Sequence, residues 1–226
     1  MKYTKKYKLI IFDWDGTLMD SQSRIVSCLQ SSQQQMDLPN RTEDEFKNII
    51  GLGLNEAIQC LYPELNSAEV EHFADLYRQC YSKQSHAPLS LFEQVRELLF
   101  QLKQSGVMLA IATGKARRGL ELALNEVNLQ GFFHASRCAD ETLSKPHPQM
   151  LEELLAEFAL APQDAVMIGD TEYDLLMAKT INMDAVAVSY GVHERERLLS
   201  CQPLACMANV EELGVFLKNV ANNYLD

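Results

Sequence analysis

Four short apolar runs constrain this chain more than any other feature. They are residues 9–12 (LIIF), 107–112 (VMLAIA), 165–168 (AVMI) and 185–188 (AVAV), and none alternates with polar residues. A strand that is apolar on both faces must be covered on both faces, which is the habit of parallel sheets flanked by helices. Helical patterns lie between the runs. Residues 92–104 place Phe92, Val95, Leu98, Leu99 and Leu102 on one face and stop at Gly106. Helices are also expected over 116–127, 148–159 (with Pro148 suited to the first turn) and 172–181, and a weaker strand near 135–138. Asn209-x-x-Glu212 opens a last helix. Strands alternating with helices predict an α/β fold, a doubly wound, Rossmann-like parallel sheet.

A second texture interrupts this one. From Ser21 to about His86 the pattern is almost wholly helical. Thr42-x-x-Glu45 has capping-box spacing; Leu54, Ala57, Ile58 and Leu61 share a face that ends at Pro63; Ser67 is placed to cap a helix through Val70, Phe73, Ala74 and Tyr77. The 226 residues amount to one and a half domains at about 150 residues each. The expected division is therefore an α/β core of residues 1–19 and 89–226, with an inserted helical cap of residues 20–88.

Composition excludes several functions. The 31 acidic residues against 20 basic ones leave a formal net charge of −11, which repels a phosphate backbone, so no nucleic-acid partner is expected. An anionic substrate would need a locally inverted field. No apolar run approaches the roughly 18 residues of a membrane span, so no membrane partner is expected. The run after Lys2, Lys5, Lys6 and Lys8 is too short for a signal peptide. The six cysteines form no C-x-x-C pair, and Cys201 and Cys206 lack a second ligand pair. Reduced thiols and a cytoplasmic location are expected.

In an open parallel sheet, ligands bind beyond the carboxyl ends of the strands. The first run ends in Asp13 and Asp15, the second in Thr113-Gly114-Lys115, the third in Gly169-Asp170, with Asp174 four residues on; Lys145-Pro146 lies between the second and third. Four carboxylates, a hydroxyl and an ammonium thus converge on one edge. Such carboxylates repel one another unless a cation sits among them. Oxygen ligands suit a hard ion, and Mg²⁺ accompanies phosphate substrates. Asp170 and Asp174, at i and i+4, are expected on one face of a starting helix. A carboxylate facing a clamped phosphoryl group can form an aspartyl-phosphate. Gly51-Leu52-Gly53 follows a helical segment and lacks the later glycine and lysine of a nucleotide loop.

Residues 12–18 (FDWDGTL), 111–114 (IATG), Lys145-Pro146 and 168–174 (IGDTEYD) together resemble the four motifs of the haloacid dehalogenase-like (HAD) hydrolase superfamily. The likeness covers nearly the whole chain, including Asp20-Ser21 and Lys145-Pro146-His147-Pro148. It is greatest to the phosphoglycolate phosphatase branch, whose helical cap lies between the first and second motifs. The resemblance implies an Mg²⁺-dependent phosphatase acting on a small phosphorylated metabolite, with 2-phosphoglycolate a candidate, as a monomer or homodimer. Asp13 would be the nucleophile, and Asp15 the acid toward the leaving alcohol and then the base toward water. Thr113 and the Gly114 amide would hold phosphoryl oxygens, and Lys145 would neutralise charge on Asp13 and the phosphoryl group. The Asp13 carboxylate, the Asp15 carbonyl and Asp170 would hold Mg²⁺, with Asp174 in support.

The same resemblance bears on neighbouring residues. Gly114 stands where relatives commonly carry Asn or Ser. Trp14 is bulkier than the residue many relatives carry, which should be harmless if it packs toward the cap. Residues 51–53 resemble a cap loop that faces the core site. Lys47 or Arg41 could meet a substrate carboxylate, or simply be solvated. Lys115 is the basic residue nearest the site, Arg117 and Arg118 are expected to face solvent, and His147 to be structural. Two alternatives stand beside the phosphatase. A β-phosphoglucomutase-like phosphomutase would return the phosphoryl group to a sugar. A phospho-acceptor regulatory module would share the Asp pair, Thr and Lys, but needs no large helical insertion and carries its acceptor on a later strand.

Overall fold

A computed structural model describes residues 5–83 and 90–221. The expected core–cap boundary at 88/89, Lys2 and His86 lie outside the described residues. The elements run β1 (Leu9–Phe12), β2 (Met19–Asp20), α1 (Gln22–Gln35), α2 (Glu43–Asn48), α3 (Leu54–Leu61), α4 (Ser67–Lys83), β3 (Ser90–Leu91), α5 (Val95–Gln104), β4 (Met108–Thr113), α6 (Arg117–Glu126), β5 (Ala135–Cys138), α7 (Gln149–Glu157), β6 (Ala165–Gly169), α8 (Glu172–Thr180), β7 (Asp184–Val188), α9 (Arg195–Ser200), β8 (Ala205–Met207) and α10 (Val210–Val220).

The main sheet has six strands in the order β5-β4-β1-β6-β7-β8, and every pairing in it is parallel. The apolar runs explain the layers. In β1, Ile10 and Phe12 enter one cluster, with Leu98, Leu102, Leu120, Leu213 and Leu217 from α5, α6 and α10. Leu9 and Ile11 enter the other, with Leu151, Leu154, Met177 and Leu198 from α7, α8 and α9. Alternate side chains leave opposite faces of a strand, so both faces of each run are spent on helices. β1 sits between β4 and β6, so Asp13, Thr113 and Asp170 emerge side by side.

A third cluster holds Ile25, Leu29, Phe46, Ile58, Leu61 and Phe73 of α1–α4. The short antiparallel pair β2–β3 brackets this helical segment. Its caps follow local chemistry. The Thr42 hydroxyl accepts from Glu45 N at 3.2 Å while Glu45 accepts from Thr42 N at 2.8 Å. The cap of α4 is Asn66, whose Oδ1 accepts from Ala68 N and Glu69 N, rather than Ser67, which is already the first helical residue. Asn209 caps α10 through Glu212 N, as its spacing predicts.

Two expectations are corrected here. Trp14 is fully buried in the core cluster, 6.4 Å from the Phe133 ring, and does not point to the helical layer. The tip of a central strand simply leaves it under α5 and α6. The six cysteines are also not all free: Cys28 of α1 and Cys80 of α4 form a disulfide, with Cα atoms 5.5 Å apart. They are 52 residues apart in sequence, and only the packing of α1 on α4 brings them together. The bond removes one ground for a cytoplasmic placement, since such bonds are rare in reducing compartments. Among the described residues no helix is long and apolar enough to cross a membrane.

The disulfide is directly countable. Protein unfolded without reductant should titrate four thiols, and six after reduction. Six in both states would remove the bond.

Candidate active site

The local geometry begins at the tip of β1. Asp13 N donates to Ile168 O at 2.9 Å, continuing the parallel ladder one residue past the strand. The chain then turns sharply. Gly16 has φ +82°, and a side chain there would run into the Asp170 carboxylate, so only glycine lets the turn pass this close. Thr17 follows, and its hydroxyl donates to Asp170 Oδ1 at 2.8 Å.

The predicted residues do converge. Lys145 Nζ donates to Asp13 Oδ1 at 2.7 Å and to Asp174 Oδ1 at 2.6 Å, with all three side chains no more than 1% exposed. Burial works against the Lys145 charge, but the Asp13 and Asp174 carboxylates outweigh it and hold the ammonium above its usual range. Burial pushes the Asp13 carboxyl up; Lys145 opposes this, and Asp174 and Asp170 add to it. Burial beside Asp174 pushes Asp170 up to about 7, against hydrogen bonds from Val192 N and Thr17. These carboxylates are therefore short of positive charge. Asp13, Asp170 and Asp174 each offer an oxygen within 4.8 Å of the others, and the second Asp13 oxygen, Oδ2, is buried without a hydrogen-bond partner. The donor set is all oxygen, which fits a hard divalent cation.

Not every carboxylate plays the same part. Asp174 Oδ2 accepts from the Thr171 amide at 3.2 Å and hydroxyl at 2.7 Å, so both its oxygens are occupied by protein donors. Thr171 caps α8 and Asp174 sits in its first turn. Asp170 precedes the cap, so the two acids do not share a helix face as their spacing suggested. The loop brings them together instead. Asp15 points elsewhere: its carboxylate accepts from Ser21 Oγ at 2.6 Å and from Lys115 Nζ at 3.0 and 2.9 Å.

Thr113 is fully buried at the end of β4. Gly114 is pressed by the helical layer, because a Cβ there would lie 2.5 Å from Leu52 O and 2.6 Å from Gly51 O. Residues 51–53 thus lie on the site, as the resemblance implies, and Gly53 N donates to Ser144 Oγ at 2.8 Å. This contact explains the missing side chain at 114. Asp13 is 1% and Asp15 8% exposed, while Gly114 and Lys115 are half-buried.

Lys47 and Arg41 are engaged within the helical layer instead. Lys47 pairs with Glu43 at 2.6 Å, and Arg41 pairs with Glu45 and lies over the Tyr62 ring. Arg118 is exposed. Arg117 is not simply solvated, since it pairs with Glu141 and donates to Ser136. His147 makes a local turn, with its Nδ1 accepting from Gln149 N. Sequence reasoning missed Ser144, Tyr81 and the Val192 amide, which donates to Asp170 Oδ2 at 2.8 Å. Nothing local marks them; only Ser144, beside Lys145, carried a positional hint.

The chain is similar to known proteins along most of its length. A family model described as haloacid dehalogenase-like hydrolase matches residues 10–188. The chain is 32% identical over 209 residues to the protein named "Probable phosphatase IndB" of Dickeya dadantii, covering 91% of each. It is 29% identical over 228 residues to a phosphoglycolate phosphatase of Nitrosococcus oceani, covering 96% of this chain and 99% of that one. A hydrolase from Pseudomonas syringae shares the fold with a TM-score of 0.87 at 20% identity, over 96% of this chain and all of that one.

The contact at Gly114 predicts its own disruption. Gly114→Ala should lift residues 51–52 off the core, because the atoms in the way are backbone. Hydrogen exchange over residues 49–53 should rise while β1 and β6 stay protected; unchanged exchange would deny the contact.

Proposed function

Because this chain belongs to the haloacid dehalogenase-like hydrolase family, we propose that it hydrolyses a small phosphomonoester through an aspartyl-phosphate on Asp13. One observation carries the proposal. Asp13 Oδ2 is a buried carboxylate oxygen with no partner, while its sister oxygen is pinned by Lys145 at 2.7 Å. A nucleophile needs one free lone pair aimed at an enclosed space, and a fixed orientation.

The steps follow from the residues. Asp13 Oδ2 attacks phosphorus, the ester P–O bond breaks, and the departing alcohol takes a proton from Asp15. Water then attacks the phosphorus of the aspartyl-phosphate, gives its proton to Asp15, and releases inorganic phosphate and free Asp13. Thr113 Oγ1 and the Gly114 amide hold phosphoryl oxygens. Lys145 offsets negative charge on Asp13 and the phosphoryl group. The Asp13 carboxylate, the Asp15 carbonyl and Asp170 would hold Mg²⁺, with Asp174 supporting through Lys145. Bound there, the ion supplies Lewis-acid polarisation of the phosphoryl oxygens. Residues 20–88 act as a cap over the core of 1–19 and 89–226, excluding water from the phosphoryl group. The phosphoglycolate phosphatase relative makes 2-phosphoglycolate the first substrate to test.

Phosphate release across a panel of phosphomonoesters with Mg²⁺ tests this. Asp13→Asn should lower turnover by a factor on the order of 10⁴, and Lys145→Ala by about 10²–10³. Arg118→Ala should leave it unchanged. Equal effects at 145 and 118, or an active Asp13→Asn, would reject the site; transfer to a sugar in place of water would assign a mutase.

The raised Asp170 value gives a second prediction without an activity readout. A carboxyl near about 7 in the folded protein, against about 3.9 unfolded, means that folding takes up a proton between these values. Ion-free protein should therefore lose stability as pH rises through that window. Mg²⁺ takes the proton's place, so its stabilisation, read as a rise in Tm, should be larger at about pH 8 than at about pH 6. A pH-independent shift would argue against Asp170 as a ligand.

A further inference from the structure

The two acids at the tip of β1 are held by different parts of the molecule. Asp13 is fixed from within the α/β layers, by Lys145 and through it by Asp174. Asp15 is fixed at the junction with the helical layer. Its first donor is Ser21, the residue that begins α1. Its second is Lys115, whose ammonium spans both carboxylate oxygens at 3.0 and 2.9 Å. Lys115 in turn donates to Tyr81 Oη of α4 at 3.3 Å and lies 4.7 Å from that ring's centroid. Tyr77 stacks on Tyr81 at 5.7 Å, and the Arg24 guanidinium of α1 lies 5.4 Å from the same ring. The Lys115 side chain is 9% exposed. Burial works against its charge, but Asp15 and the two tyrosines outweigh this and hold it above its usual range.

We propose that Lys115 is a positioning residue, seated by Tyr81, that holds the Asp15 carboxylate in register with the reacting phosphoryl group only while α4 is docked. The proposal rests on the hydrolytic reading above. A carboxylate spanned by one ammonium and pinned on one oxygen by a hydroxyl cannot rotate about its terminal bond. Remove the ammonium, and of these two donors Asp15 retains Ser21 alone; remove the Tyr81 hydroxyl, and the ammonium loses its own anchor on α4. Among the described residues Asp13 is paired with Lys145 and makes no hydrogen bond or ion pair with Lys115, Tyr81 or Ser21, so the nucleophile keeps its own anchor. Docking of the helical layer is thereby read at the acid and base, not at the nucleophile.

The two half-reactions separate these roles. With p-nitrophenyl phosphate, Asp13 Oδ2 attacks phosphorus and p-nitrophenolate leaves as a stable anion, needing no proton from Asp15. With an alkyl phosphate such as glycerol phosphate, the departing oxygen must be protonated by Asp15. In both cases, water must then give a proton to Asp15 as the Asp13–phosphorus bond breaks.

Rapid-quench kinetics on the intact protein with Mg²⁺ and both substrates provide the test, using Lys115→Met, Lys115→Arg and the milder Tyr81→Phe. In Lys115→Met, p-nitrophenolate should appear in a burst stoichiometric with enzyme and with an unchanged burst rate. Slow turnover and trapped phosphoenzyme should follow. Turnover of glycerol phosphate should fall by about 10²-fold, the usual scale of a general acid, with no phosphoenzyme accumulating. Tyr81→Phe should move in the same direction by less, and Lys115→Arg should restore part of the loss. Equal losses on both substrates without a burst, or wild-type behaviour in both variants, would overturn the proposal. Wild-type protein that releases phosphate from neither substrate would overturn the hydrolytic reading itself, and this inference with it.

Discussion

A buried ammonium between two buried carboxylates organises this molecule. Lys145 holds Asp13 and Asp174 at 2.7 and 2.6 Å with essentially no water contact. Separating either partner would leave a charge in a low-dielectric interior, at a cost of about 3–5 kcal/mol. The arrangement is therefore rigid as well as charged. It fixes the strand tip of β1, the loop before α7 and the first turn of α8 to one point. Asp170 closes the group, held by Thr17 from the β1 turn and by the Val192 amide.

That ion-pair cluster does not neutralise itself. Burial pushes Asp13 and Asp170 toward their protonated forms, a shift that an additional cation among these oxygens would oppose. A chain with a net charge of −11 can thus present a cation-ready pocket to a phosphate. The surrounding surface repels large polyanions, while the local chemistry accepts a small one.

The helical layer meets this pocket through backbone more than through side chains. Gly51 O and Leu52 O abut Gly114, Gly53 N reaches Ser144, and the Asn48 carbonyl accepts from Tyr173 Oη at 2.8 Å. Backbone contacts leave little room for adjustment, so small changes at the junction propagate to the site. The side chains that do cross, Tyr81 and Ser21, converge on Lys115 and Asp15. Asp13 is held within one layer and Asp15 at the junction of two.

Much of this was legible in the amino-acid order. Runs such as 9–12 and 165–168, short and bounded by turn residues, read as doubly buried strands, and parallel topology then sends Asp13, Thr113 and Asp170 to one edge. Local capping signals at Thr42 and Asn209 were sufficient because they are satisfied within four residues. What sequence could not supply was contact between distant elements whose partners are chosen by packing. Cys28 meets Cys80 because α1 lies on α4, Trp14 turns inward because a central strand leaves it there, and Arg41 and Lys47 are spent on helix-local acids. Gly114 looked like a lost ligand and proved to be a space taken by carbonyls. Strand identity and edge chemistry are dictated by hydrophobic period and chain direction, which are one-dimensional properties. Which side chains meet at Asp15 is decided by the packing of two separately built layers, and no local pattern encodes that.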